Sequence, residues 1–149
     1  MNEATAADFL TDPERKRVAQ AIGAAERPTS GEIRVHLEDH IDEDLLDHAA
    51  FVFEELGMQK TRDRNGVLIY VCVADRKVAV IGDKGINEVV PEGFWKDVLA
   101  VLQMHFAAGR RVEGLCEAVG MVGEKLIRFH PMRSDDRDEL SNDVSMSKA

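Results

Sequence analysis

Residues 64–85 read RNGVLIYVCVADRKVAVIGDKG, and the fold turns on this stretch. Val67 to Val73 is an unbroken apolar run in which Val67, Ile69, Val71 and Val73 are β-branched. Such a run suits a strand buried on both faces. Asp75-Arg76 supplies the polar break of a tight turn, and Lys77 to Ile81 returns as a second strand that ends at Gly82. A β-hairpin at the middle of a sheet follows, and the rest of the chain has to supply helices to cover it.

Outward from the hairpin, Glu32 to Leu37 alternates, with Ile33, Val35 and Leu37 on one face and Arg34 and His36 on the other. That pattern predicts a half-exposed strand nearer the sheet margin. Between the two lies a helix with Leu46, Ala49, Ala50, Phe53 and Leu56 along one side, closed by Gly57. Strand, helix, strand makes a right-handed crossover with parallel strands, to which the hairpin adds an antiparallel third.

Upstream, Thr11-Asp12-Pro13-Glu14 has the capping-box spacing, and Val18, Ala21, Ile22 and Ala25 continue it as an amphipathic helix. Downstream of Pro91, one helix turns Phe94, Trp95, Val98, Leu102 and Phe106 inward, and Ala108-Gly109-Arg110 breaks it. A last helix carries Val112, Leu115, Val119, Val122, Leu126 and Phe129 as a seam, with Gly120 and Gly123 expected to allow close approach. The expected fold is therefore α/β: a three-layer α/β/α sandwich with a small mixed sheet, a βαβ crossover followed by a β-hairpin and then two C-terminal helices. Residues 1–10 read as a leader, 11–131 as the domain, and 132–149, rich in Asp, Ser and Arg, as a disordered tail.

Composition bounds function. The chain has 149 residues, is 44% hydrophobic and carries a net charge of −9 with a pI near 5.0. One ordinary core fits that length, and the acidic balance argues against nucleic acid, which requires a basic face. Cys72 and Cys116 lack CxxC spacing and read as reduced, buried thiols. Neither a signal-peptide pattern nor an apolar run of membrane-spanning length is visible, so a bacterial-type cytoplasmic protein without a membrane span is expected.

Chemistry gathers at the two ends of the hairpin. At one end lie Asp63, Arg64 and Asn65 with Gly82-Asp83-Lys84-Gly85, and then Asn87 and Glu88. At the other lies Asp75, with Glu38 and Asp39 beyond the first strand, where ligands of parallel sheets tend to bind. Asp and Asn oxygens with turn carbonyls suit a hard cation. The plainer reading is that Gly supplies turn geometry, Asp-Lys makes a solvated corner, and the acidic run from Glu38 to Asp44 complements a helix dipole. His36, His40 and His48 do not match a compact zinc motif, and no GxSxG or HExxH pattern occurs.

The run LGMQKTRDRNGVLIYVCVADRKVAVIGDKGINEVVPEGFW, above all Arg64-Asn65-Gly66-Val67-Leu68, Asp75-Arg76-Lys77 and Ile81-Gly82-Asp83-x-Gly85-Ile86, resembles the TPM domain family in its soluble, cytosolic branch, which is related to the acid phosphatase of the thylakoid lumen. The resemblance extends over about residues 11–131. It implies an α/β/α sandwich and either calcium binding or weak phosphatase activity. The chain departs from the wider pattern where secreted members have GYG, here Gly82-Asp83-Lys84-Gly85, and where Val90-Pro91-Glu92 stands in place of Thr-Asp.

Three functions are expected on these grounds. The first is a Ca2+ (alternatively Mg2+) binding or regulatory module, with Asp83, Asp63, Asn87 and Glu88, or Asp75, Glu38 and Asp39, as ligands. Another is a metal-assisted phosphatase in which Arg64, Asn65 or Lys84 contacts phosphate. The third is a ligand-free domain that docks a protein partner. Whether the chain is an enzyme stays open at this level.

Overall fold

A computed structural model describes residues 5–133 and 141–147. Four strands form one mixed sheet in the order β3-β2-β1-β4: β1 (Glu32–Glu38), β2 (Gly66–Cys72), β3 (Lys77–Gly82) and β4 (Ser145–Met146). β1 and β2 run parallel, with Val35 opposite Ile69, and α3 (Leu45–Glu55) connects them. β3 folds back antiparallel on β2, with Ile69 opposite Val80, so the hairpin forms as the apolar pattern predicts. All seven residues of β2 are buried, as expected for a strand covered on both faces.

Two helical layers enclose the sheet. Val67, Ile69 and Val71 face α1 (Ala6–Phe9), α2 (Asp12–Glu26), α5 (Phe94–Ala107) and α6 (Arg111–Phe129), whereas Leu68, Tyr70 and Cys72 face α3. This is the expected three-layer α/β/α sandwich. The capping box forms at Thr11 and Glu14, and Asp44 caps α3 by accepting from the Leu46 and Asp47 amides at 3.1 Å. In the α6 seam Val112, Leu115, Val119, Val122 and Leu126 are buried, each burial contributing about 1.5–3 kcal/mol. Gly123 does permit close approach, since a Cβ there would lie 2.9 Å from that of Ala25, but Gly120 faces open space.

Three expectations change. Residues 5–10 of the expected leader pack onto the domain: Thr5 caps α1, and Ala6, Phe9 and Leu10 are buried, with Phe9 edge-on to Phe106 at 5.3 Å. Four helical residues are too few to show a period. β1 is not half exposed, because His36 stacks on Tyr70 at 5.6 Å and is only 6% exposed. Both its ring nitrogens are hydrogen-bonded, which makes burial tolerable. Part of the expected tail is ordered: β4 pairs with β1 in parallel, His36 opposite Ser145, while residues 134–140 and 148–149 lie outside the described set. Among the described residues no helix is long and apolar enough to cross a membrane.

Candidate functional site

At the amino end of the parallel pair, the loop before β2 and the turn after β3 are locked together. Arg64 has φ 52°, and its carbonyl accepts from the Gly85 amide at 2.8 Å. A Cβ on Gly85 would fall 2.1 Å from the Asp63 carbonyl oxygen, so only glycine fits this approach. The Arg64 guanidinium donates from Nε to Asp83 Oδ2 at 2.7 Å and from Nη2 to Oδ1 at 2.9 Å, a bidentate pair. Asp83 Oδ1 also accepts from the Lys84 amide at 2.8 Å and so caps the short α4 (Lys84–Asn87). That carboxylate partner raises the Arg64 pKa.

The other residues of this end do not converge with Asp83. Asp63 accepts from Arg133 Nη2 at 2.7 Å, and Asn87 Oδ1 accepts from Trp95 Nε1 at 2.8 Å. Glu88 and Lys84 are exposed. Asn65 is buried, and its Nδ2 donates to Ser30 Oγ at 3.2 Å. His130 Nε2 donates to the Gly85 carbonyl at 2.8 Å, which places the proton on that nitrogen. Sequence reasoning missed Ser30, His130 and Arg133, because nothing local signals a contact between Arg133 and Asp63, 70 residues away.

The carboxyl end has a different electrical character. The Val73 amide donates to the Glu38 carbonyl at 2.8 Å and the Ala74 amide to that of Asp39 at 2.9 Å, which stitches the hairpin turn to the segment leaving β1. Asp75 then accepts from the Ile41 amide at 3.2 Å, from Cys72 Sγ at 2.9 Å and from His40 Nδ1 at 2.9 Å. The opposite ring nitrogen, His40 Nε2, lies 2.8 Å from Asp42 Oδ1. An imidazole between two carboxylates donates from both nitrogens. Accordingly the hydrogen bonds to Asp42 first, and then Asp75, raise the His40 pKa above its usual 6.5.

Asp75 moves the other way: the Cys72 thiol, the Ile41 amide and His40 all lower its pKa. Burial first, and then the Asp75 carboxylate, push the Cys72 thiol up to about 12. Nearby, Glu38 accepts from His36 Nε2 at 2.9 Å and from Ser147 Oγ at 2.6 Å, while Asp39 Oδ1 accepts from the Ala6 amide at 2.6 Å. Burial lowers the His36 pKa despite its Glu38 partner. Behind it, His48 Nδ1 lies 2.6 Å from the Tyr70 hydroxyl.

Asp63 and Asp83 thus each carry an arginine partner. Around Glu38, Asp39, Asp42 and Asp75, by contrast, the partners among the described residues are histidines, hydroxyls, a thiol and backbone amides. Glu38, Asp39 and Asp75 come to one end of the sheet, yet their carboxylates engage different donors. No three His, Cys, Asp or Glu side chains among the described residues converge as a metal cage. The run from Glu38 to Asp44 was the available sequence signal for His40 and Asp42, and Cys72 offered none beyond its burial.

The TPM domain model matches residues 4–125, a span that begins ahead of α1. The chain is similar to the BA42 protein of the psychrophilic bacterium Bizionia argentinensis, whose solution structure is 43% identical with a TM-score of 0.88 over 95% of this chain and 97% of that one. The N-terminal domain of a protein from P. gingivalis shares the fold at 20% identity and TM-score 0.68, over 89% of this chain and 99% of that one. No curated protein matches the chain.

Proposed function

Because the chain belongs to the TPM domain family, we propose that it is a divalent-cation-binding module, with Ca2+ the preferred ion, whose site lies beyond the carboxyl ends of β1 and β2. The observation that carries this reading is the His40 imidazole held between Asp42 and Asp75, with no arginine or lysine bonded to either carboxylate among the described residues. Two carboxylates that gather a positively charged ring favour positive charge at that place. Asp63 and Asp83 already have theirs satisfied by Arg133 and Arg64.

The donors fit a hard ion. Asp42 and Asp75 supply carboxylate oxygens, and Asp39 and Glu38 lie on the adjoining backbone, within a surface whose net charge is −9. His40 occupies the position between the two carboxylates, so an ion entering there displaces the ring. The bound ion would supply a fixed positive charge joining the hairpin turn to the segment after β1.

Calorimetry with Ca2+ and Mg2+ tests this. Wild-type protein gives a saturable heat with Ca2+ and a rise in Tm, because an ion that binds only the native state stabilises it. Asp75→Asn weakens the affinity at least tenfold. No heat and no Tm shift at millimolar Ca2+ refutes the reading. A metal-assisted phosphomonoesterase is less well supported, because the Arg64 guanidinium it would direct at phosphate is engaged by Asp83.

A further inference from the structure

A cavity of ≈ 310 Å³ opens on the side of the hairpin that faces α5 and α6. Its walls are apolar, formed chiefly by Phe9, Val73, Val78 and Phe106. Its rim carries Arg76, Lys77 and Arg111, and among the described residues no acidic side chain lines it. In a chain of net charge −9, with 28 acidic and 19 basic residues, a cavity lined by three cations and, among the described residues, no anion runs against the average surface.

The three cations are held differently. Arg111 donates from Nη1 to the Phe9 carbonyl at 3.0 Å, and its guanidinium lies 4.6 Å from the Phe9 ring centroid, so it is seated on the cavity wall. It is also the first residue of α6, which brings the positive end of that helix to the rim. Arg76 sits at φ 54°, a conformation uncommon for any residue but glycine, at the last position of the hairpin turn. Arg76 and Lys77 are exposed, and their side chains have no hydrogen-bond or ion-pair partner among the described residues.

We propose that this cavity binds a small amphipathic anion: an apolar body of about six to ten carbons within the walls, and one carboxylate or phosphate head at the Arg76, Lys77 and Arg111 rim. The volume is at the lower end of small-molecule sites, where a few polar groups orient an otherwise apolar ligand. Planar guanidinium forks suit either head group. The site is separate from the cation site, since Asp75 and His40 do not line it.

Calorimetry in EDTA with octanoate, octyl phosphate and octan-1-ol tests the proposal apart from any effect of cations. Octanoate, octyl phosphate or both bind, which also identifies the head group, and octan-1-ol binds at least tenfold more weakly. Arg76→Ala combined with Lys77→Ala leaves Tm unchanged and weakens the anion at least tenfold. Ala107→Phe, which fills the mouth without changing charge, abolishes binding. High salt weakens the wild-type interaction, because the rim is open to solvent. Failure of both anions to bind, equal binding of the alcohol, or unchanged affinity in both variants overturns it.

Discussion

Arg64 and Asp83 face each other across the sheet's amino end through two parallel hydrogen bonds of 2.7 and 2.9 Å, and Asp83 is 8% exposed. This pair closes a corner and leaves the buried Asp83 carboxylate without a free charge. The pair also makes Asp83 a structural residue, which separates it from Asp75 at the opposite end.

A double-mutant cycle on this pair follows directly. Asp83→Ala lowers Tm, losing the α4 cap worth about 1 kcal/mol as well as the guanidinium partner. Arg64→Ala also lowers it, and the double variant is less destabilised than the sum, because the first change already removes the interaction. Additive effects measured by urea denaturation would show that the pair is not coupled.

Cys72 gives a chemical test of the hairpin turn. With the thiol pushed up to about 12 and buried, the thiolate fraction at pH 8 is about 10⁻⁴. Iodoacetamide therefore leaves Cys72 unmodified in the native protein and labels it after denaturation, read by mass spectrometry. Rapid native labelling would contradict the contact with Asp75.

The His40 and Asp75 contact has a pH window. The His40 pKa is raised from 6.5, so its contribution to stability is complete below pH 6.5 and disappears as pH rises through the folded value. Asp75 is lowered from 3.8, so its contribution is complete above 3.8 and is lost as pH falls through the folded value. The contact is at full strength between these two limits. The His40 imidazole, followed by NMR, titrates above 6.5, and Asp75→Asn brings the midpoint down; a wild-type midpoint at or below 6.5 would contradict the geometry.

Removing residues 141–149 deletes β4 and uncovers His36. The His36 pKa then rises toward its usual value, because the burial that lowers it is relieved, and the loss of the Ser145 and Ser147 hydrogen bonds costs about 1–2 kcal/mol. An unchanged His36 titration after truncation would mean that β4 does not cover it.

The hairpin, the capping box at Thr11 and Glu14 and the α6 seam were legible because each is set by neighbours within a few residues. β4 was not: two residues, Ser145 and Met146, carry no period, and their order depends on His36, 109 positions away. Burial of His36 was hidden for the same reason, as a polar residue on an alternating strand reads as exposed until a partner satisfies both its nitrogens. Spacing brought out the carboxylates at both ends of the sheet. What distinguishes the ends, Arg133 on Asp63 against His40 on Asp75, is long-range pairing that spacing does not encode.

The most direct test of the cation site is an amide and imidazole NMR titration with Ca2+. A cation seated between Asp42 and Asp75 gives saturable shifts at His40, Ile41, Asp42, Ala74 and Asp75, with displacement of the His40 ring and little change at Arg64, Asp83 and Gly85. Shifts confined to Arg64, Asp83 and Gly85, or no shift anywhere at millimolar Ca2+, would contradict it.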